Sequence, residues 1–220
     1  MIEMTPQPHT TDDAAALQEL GRASVEVVHD IKNQLNGLKL YATFLRRRCE
    51  RDERPADEIE TVNKIIAGLE RSAAELSLLV RYGRPIELSR APRTDLAEIV
   101  RAAAVGEAEI EGGGGADFAG DFDAAKLGEA LADINAAVRA HSPADSPARV
   151  SLRRDLSAGA EAAALVEWRG VGGAGGKNIF GALDGNASLR AALAARVVAA
   201  HGGAVSHEGD TVSVRIPLKP

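Results

Sequence analysis

Aromatic side chains make up only 3% of the 220 residues, so stacked rings cannot dominate any core here, and Ala, Val, Leu and Ile must fill it. A single cysteine, Cys49, excludes an internal disulfide and suits a reducing compartment. No stretch approaches the roughly 20 uninterrupted apolar residues that span a bilayer. The most apolar segment, Leu189 to Ala200, is broken by Arg190 and Arg196. The opening residues, Met1-Ile2-Glu3-Met4-Thr5-Pro6, lack the basic and apolar regions of a signal peptide. Excess positive charge is absent as well. A net charge of −6 and a pI near 5.5 argue against nucleic acid as the main partner. The expectation is a soluble cytoplasmic protein, with no membrane and no nucleic-acid partner.

What is present is strong helical periodicity in the first 82 residues. Residues 1–11 are polar and proline-bearing and read as a flexible tail. Thr11 or Asp12 is suited to cap a helix running to about Cys49. Its small or apolar positions are Leu17, Leu20, Ser24, Val27, Ile31, Gln34 or Leu35, Leu38, Tyr41 and Leu45, with Val28, Leu35 and Ala42 widening the stripe. Arg51-Asp52-Glu53-Arg54-Pro55 is the break. A second helix, from about Ala56 to Arg81, carries Ile59, Val62, Ile66, Leu69, Ala73, Leu76 and Val80 at the same spacing. Two such helices joined by a short turn make an antiparallel hairpin over residues 12–82. One hairpin alone leaves apolar surface in water, so two chains are expected to pair as a homodimeric four-helix bundle.

Within the first helix, with Ser24 and Ile31 at heptad position a, His29 falls at f, farthest from the seam. Asp30 beside it is placed to accept a ring N–H and favour one tautomer. Asn33 follows one turn on, where an amide orients a water or a phosphoryl oxygen. A lone histidine at such a position is ordinarily just a surface residue. Its neighbours change that reading.

Gly83-Arg84-Pro85 ends the helical half, and residues 86–220 shift toward Gly, Ala and short β-prone runs. Ile86-Glu87-Leu88 reads as a strand, followed by a helix capped by Thr94 or Asp95. Glu111 to Gly115 reads as a flexible connection, Ala116 to Gly120 as a short strand, and Asp123 to Ala140 as a helix. Val150 to Leu156 pairs with Ala163 to Arg169, a turn lies near Asn178-Ile179-Phe180, and a helix covers Ala187 to Ala200. A hairpin of Ala204–His207 and Thr211–Ile216 closes the chain. This alternation predicts an α/β sandwich with helices on one face of a mixed sheet. His9, His141 and His207 have no metal-like spacing to one another or to Cys49, and no metal site is expected.

His29-Asp30-Ile31-Lys32-Asn33-Gln34-Leu35 resembles the phosphoacceptor box of histidine kinases, His-(Glu/Asp)-x-x-(Asn/Thr)-x-Leu, with Gln34 where proline is usual. The second half resembles their ATP-binding domain, a GHKL-type fold. Leu127 to Pro143 corresponds to the asparagine-box helix, Val166 to Gly172 to the first glycine box, Asn178-Ile179-Phe180 to the Phe-containing loop, and Leu189 to Gly203 to the last helix with its His-Gly-Gly end. The family's functional positions are replaced. Its Mg²⁺-holding asparagine falls on Ala137, with Asn135 two residues away and so expected on nearly the opposite side of the helix. Its adenine-reading aspartate falls on Trp168. Its second glycine box reads Ser188-Leu189-Arg190-Ala191. Lys177 is the remaining charge beside the glycine-rich Gly170 to Gly176.

The resemblance implies a degenerate histidine kinase acting as a histidine phosphotransferase. His29 would carry a phosphoryl group between receiver-domain aspartates, Asp30 would tune the ring, and Lys32 and Asn36 would meet the partner with Asn33. The chain would bind no cofactor, and Mg²⁺ would arrive with the receiver. Partners would be response-regulator receivers and an upstream hybrid kinase. Three alternatives stand beside this: a divergent but working kinase, a regulator phosphatase using Asn33 to place water, and a non-catalytic adaptor that binds receivers.

Overall fold

The computed structural model describes residues 11–104, 108–110, 118–142, 148–155, 162–171, 179–180 and 186–218, with side chains from Ser24 onward and none for 108–110. The chain divides into two compact units, Met1–Arg84 and Pro85–Pro220.

The first unit is an antiparallel pair, α1 (Thr11–Arg51) and α2 (Ala56–Gly83). Glu53 adopts a positive φ of 48° in the turn, and Pro55 occupies the N-cap of α2, where the missing N–H costs no helical bond. The expected broad stripe on α1 resolves into two. Val25, Val28, Lys32, Leu35, Lys39, Ala42 and Arg46 are half-buried and Cys49 is buried, a strict three-four line directed at α2. Lys39 ties the two helices together through Glu70 at 2.7 Å. Val27, Ile31, Leu38, Tyr41 and Leu45 form a second line that stays exposed, Tyr41 to 70%. On α2 the expected positions are the covered ones, with Val62 and Val80 buried, and Leu78 joins them.

Among its described residues the second unit has a five-stranded sheet ordered β2-β4-β5-β7-β6 and a two-stranded β1–β3 pair. The strands are β1 (Ala91–Asp95), β2 (Ala108–Ile110), β3 (Ala119–Phe122), β4 (Arg149–Asp155), β5 (Ala163–Arg169), β6 (Ala204–Glu208) and β7 (Thr211–Pro217). β2 runs parallel to β4 and the other neighbours are antiparallel. Helices α3 (Leu96–Ala104), α4 (Ala124–His141) and α5 (Asn186–Ala200) supply the other layer, and α4 packs on both α3 and α5. Alternation on the strands sorts the faces. Val150, Leu152, Ala164, Val166, Trp168, Val212, Val214 and Ile216 join the helices in one core. Ser151, Glu167, Ser213 and Ser206 form a polar row on the opposite face.

The sandwich is the expected one, but three local assignments change. The first strand is Ala91–Asp95, not Ile86–Leu88. Ile86 and Leu88 are half-buried without a ladder: Ile86 lies against the core and Ser89 N–H donates to the Asp123 carboxylate at 2.8 Å. Their alternation reflects a chain laid along the core's edge. The next strand is Ala119–Phe122, pairing with β1 at Ala91↔Phe122 and Thr94↔Gly120. β2 was not expected, because three residues carry too little periodicity to register. Leu156, Asn178 and residues 1–10 lie outside the described residues.

Candidate functional site

His29 is placed by α1, whose unbroken run of helix holds it off both stripes. Its side chain is 56% exposed. At 100° per residue, Asn33 lies about 40° and Asn36 about 20° from it around the axis, and Lys32 about 60° away on the α2 side. The ridge thus gathers His29, Asp30, Asn33 and Asn36, all exposed, while half-buried Lys32 flanks it. Two neighbours address the same ring nitrogen. Asn33 Nδ2 lies 3.3 Å from His29 Nδ1, and Asp30 Oδ1 lies 3.8 Å from it. Among the described residues, no side chain engages Nε2. The ridge runs on through Leu40 and Phe44, each 54% exposed. Sequence reasoning passed over both. Their signal was two large apolar residues off either stripe.

The second unit gives the positions singled out by the resemblance structural work. Trp168 is 2% exposed, and its indole N–H donates to Asn135 Oδ1 at 3.1 Å. The Asn135 amide donates to the carbonyls of Ala103 and Ala104 at 3.3 and 3.1 Å, closing the carbonyl end of α3. Asn135 and Ala137 lie two residues apart on α4, about 200° around its axis, as expected. Both are buried, because α4 is enclosed by α3, α5 and the sheet. Neither is suited to hold a metal ion: Ala137 has no side-chain oxygen, and the Asn135 oxygen already accepts the indole N–H. Leu189 and Ala191 are also turned inward, and Arg190 pairs with Asp133 across α4 and α5 at 3.4 Å. Among the described residues, no group of three His, Cys, Asp or Glu side chains is gathered as metal ligands would be.

A buried polar cluster joins the ends of α4 and α5. Asp123 caps α4 by accepting from Lys126 N–H at 3.0 Å, and its own N–H donates to His201 Nε2 at 3.1 Å. His201 Nδ1 meets the Val197 carbonyl at 2.8 Å, so the ring is neutral with its proton on Nδ1. Burial lowers the His201 imidazole below its ordinary value, outweighing the pull of the Val197 carbonyl. Burial works to raise the Asp123 carboxyl, but the N–H groups of Lys126 and Ser89, with the Lys126 ammonium, outweigh it and hold it at about 2. Arg90 closes the cluster by donating to the Ala200 carbonyl at 2.8 Å. From the sequence, the helix start at Asp123 and the His-Gly-Gly signature pointed here, and His201 serves a structural role.

No protein-family model matches the sequence, and no curated protein matches it. Solved structures do match. Full-length ShkA in complex with AMPPNP superposes with a TM-score of 0.61 at 20% identity, over 88% of this chain and 45% of that one. The Acinetobacter baumannii histidine kinase AdeS superposes with a TM-score of 0.50 at 14% identity, over 83% of this chain and 96% of that one. The chain has a histidine-kinase-like fold. It spans less than half the length of ShkA. In this histidine-kinase-like chain the helical hairpin and the α/β sandwich follow in the expected order. No helix among the described residues is long and apolar enough to cross a membrane.

Proposed function

We propose that the protein is a histidine phosphotransferase of a two-component phosphorelay, moving phosphoryl groups between receiver aspartates through His29 without consuming ATP. The observation that carries this reading is the contrast between the two units. A histidine in a phosphoacceptor-like box is exposed with Nε2 unengaged, while the residues at nucleotide-reading positions are locked into core contacts, Trp168 foremost. Asp30 and Asn33 flank the reacting ring. Lys32, half-buried and free of any ion pair among the described residues, lies one turn away to balance phosphoryl charge. Asn36, Leu40 and Phe44 extend the surface that a receiver would cover.

The exposed line Val27, Ile31, Leu38, Tyr41 and Leu45 supports a homodimer, since a single hairpin leaves these side chains in water. The chain itself needs no cofactor in this reading, and Mg²⁺ enters with the receiver. The whole is a cytoplasmic signalling component working between an upstream hybrid kinase and its regulators.

The test is to incubate the pure chain with labelled ATP and, separately, with a phosphorylated receiver. Label is expected on His29 from the receiver only, and none in His29→Ala. Labelling from ATP would establish the kinase alternative. Phosphate release from the receiver that survives His29→Ala would establish the phosphatase. Binding and cellular output unchanged in His29→Ala would establish the adaptor.

A further inference from the structure

We infer that Asn33 is a positioning residue that holds His29 of the free protein in the tautomer protonated at Nε2, so that the outward-facing nitrogen is silent until the amide releases its neighbour. The consequence for transfer rests on the relay reading above, but the tautomer does not. The observation is the direction of one contact. Asn33 presents its amide nitrogen to His29 Nδ1 at 3.3 Å, and an amide N–H only donates. The ring nitrogen that accepts it must carry a lone pair, and a neutral imidazole then carries its one proton on Nε2.

Asp30 asks the opposite of the same atom. Its carboxylate only accepts, so it favours a proton on Nδ1, but at 3.8 Å it is beyond hydrogen-bond reach. The nearer neighbour sets the resting state. The ring therefore stands between two side chains with contrary demands, and a small displacement decides which is met.

Transfer to Nε2 requires the other tautomer. The Nε2 lone pair attacks phosphorus, the P–O bond to the receiver's aspartate breaks, and its electron pair leaves with the carboxylate. The ring is then a phosphoryl-imidazolium carrying Nδ1–H, and it becomes neutral by giving that proton to Asp30 or water. With the Asn33 N–H aimed at Nδ1, that intermediate would face donor against donor. Turning the exposed amide over places Oδ1 on the Nδ1–H instead. A docking receiver that contacts Asn33 would thus switch the ring on as it arrives.

Proton-detected two-bond nitrogen spectra of the full chain, labelled at its five histidines, report the tautomer directly at pH 8. His29 is assigned by its loss in His29→Ala. Wild type is expected to show a bare Nδ1 and protonated Nε2. Asn33→Asp, an acceptor of the same length on an exposed helical position, is expected to reverse the pattern, and Asn33→Ala to give a mixture. A wild-type ring protonated at Nδ1, or an unchanged pattern in Asn33→Asp, would overturn the inference. In the same proteins, labelling from a phosphorylated receiver is expected to be up to about tenfold faster in Asn33→Asp than in wild type, if the lock leaves about a tenth of rings reactive. A reversed tautomer without faster labelling supports the lock and counts against the relay.

Discussion

The indole of Trp168 donates to Asn135 Oδ1 at 3.1 Å, while the Asn135 amide holds the carbonyls of Ala103 and Ala104. One side chain of α4 thereby fastens the central strand to the end of α3. Both residues are buried, where an unmatched polar group costs more than a made bond contributes.

Trp168→Phe should therefore lower unfolding stability by about 1–3 kcal/mol beyond its change in packing, because Asn135 Oδ1 loses its donor. Asn135→Ala should cost more, stranding the indole N–H together with the α3 carbonyls. The double variant should fall short of the sum. Urea titrations measure all three. Additive losses would show that the hydrogen bond contributes nothing of its own.

Acidification should weaken the second unit in two separate windows. His201 has a lowered value in the folded chain, so the unfolded chain takes up its proton first, and stability declines as pH falls below about 6.5. Asp123 is also lowered, to about 2. Its contribution is complete above the ordinary carboxylate range near 3.9 and is lost as pH falls from there through about 2. Melting temperatures between pH 7.5 and 5 should slope downward in wild type and flatten in His201→Gln. An equal slope in both would assign the effect to other groups.

Two glycines should respond to alanine with opposite signs. Gly202, with φ +80°, and Gly203 complete a Schellman end on α5, donating to the Ala199 and Val198 carbonyls at 2.8 and 3.0 Å. A Cβ on Gly203 would collide with the Arg215 carbonyl, so Gly203→Ala should cost about 1–3 kcal/mol or more. Gly37 sits within α1 with nothing near the space a Cβ would occupy, so Gly37→Ala should stabilise the hairpin by about 0.5–1 kcal/mol. Denaturation midpoints of the full chain decide both.

Leu38→Glu should separate a dimer while leaving each hairpin folded, since Leu38 lies on the exposed line, 53% exposed. Leu35→Glu, on the line directed at α2, should unfold the hairpin instead. Sedimentation and circular dichroism distinguish the outcomes. An unchanged mass for Leu38→Glu would place any seam elsewhere.

The long helices were legible because three-four spacing persists over many turns; the same spacing set His29 off the stripe, and the residues around it, not the spacing, singled it out. The division of the α1 stripe was not legible, since Val27 and Val28 are equally apolar and only the partner helix distinguishes them. The burial of both Asn135 and Ala137 was not legible, because a helix enclosed on several sides has no single buried face and angular separation says little about environment. Ile86–Leu88 alternated like a strand because covering one edge of a core imposes the same period as a sheet. Within the site, the ridge could be drawn from the sequence, but not the fact that Asn33 stands closer than Asp30 to Nδ1, which depends on side-chain rotamers.

Among the described residues the five-stranded sheet ends in β2, three residues long, and β6, five residues long with Ser206 and Glu208 exposed. A second chain seeking to extend the ladder at β6 would meet a short border carrying the exposed Glu208. A charged edge of this kind gives fibril-like stacking little to seed it, so surplus copies of this protein should stay dispersed rather than polymerise through β6.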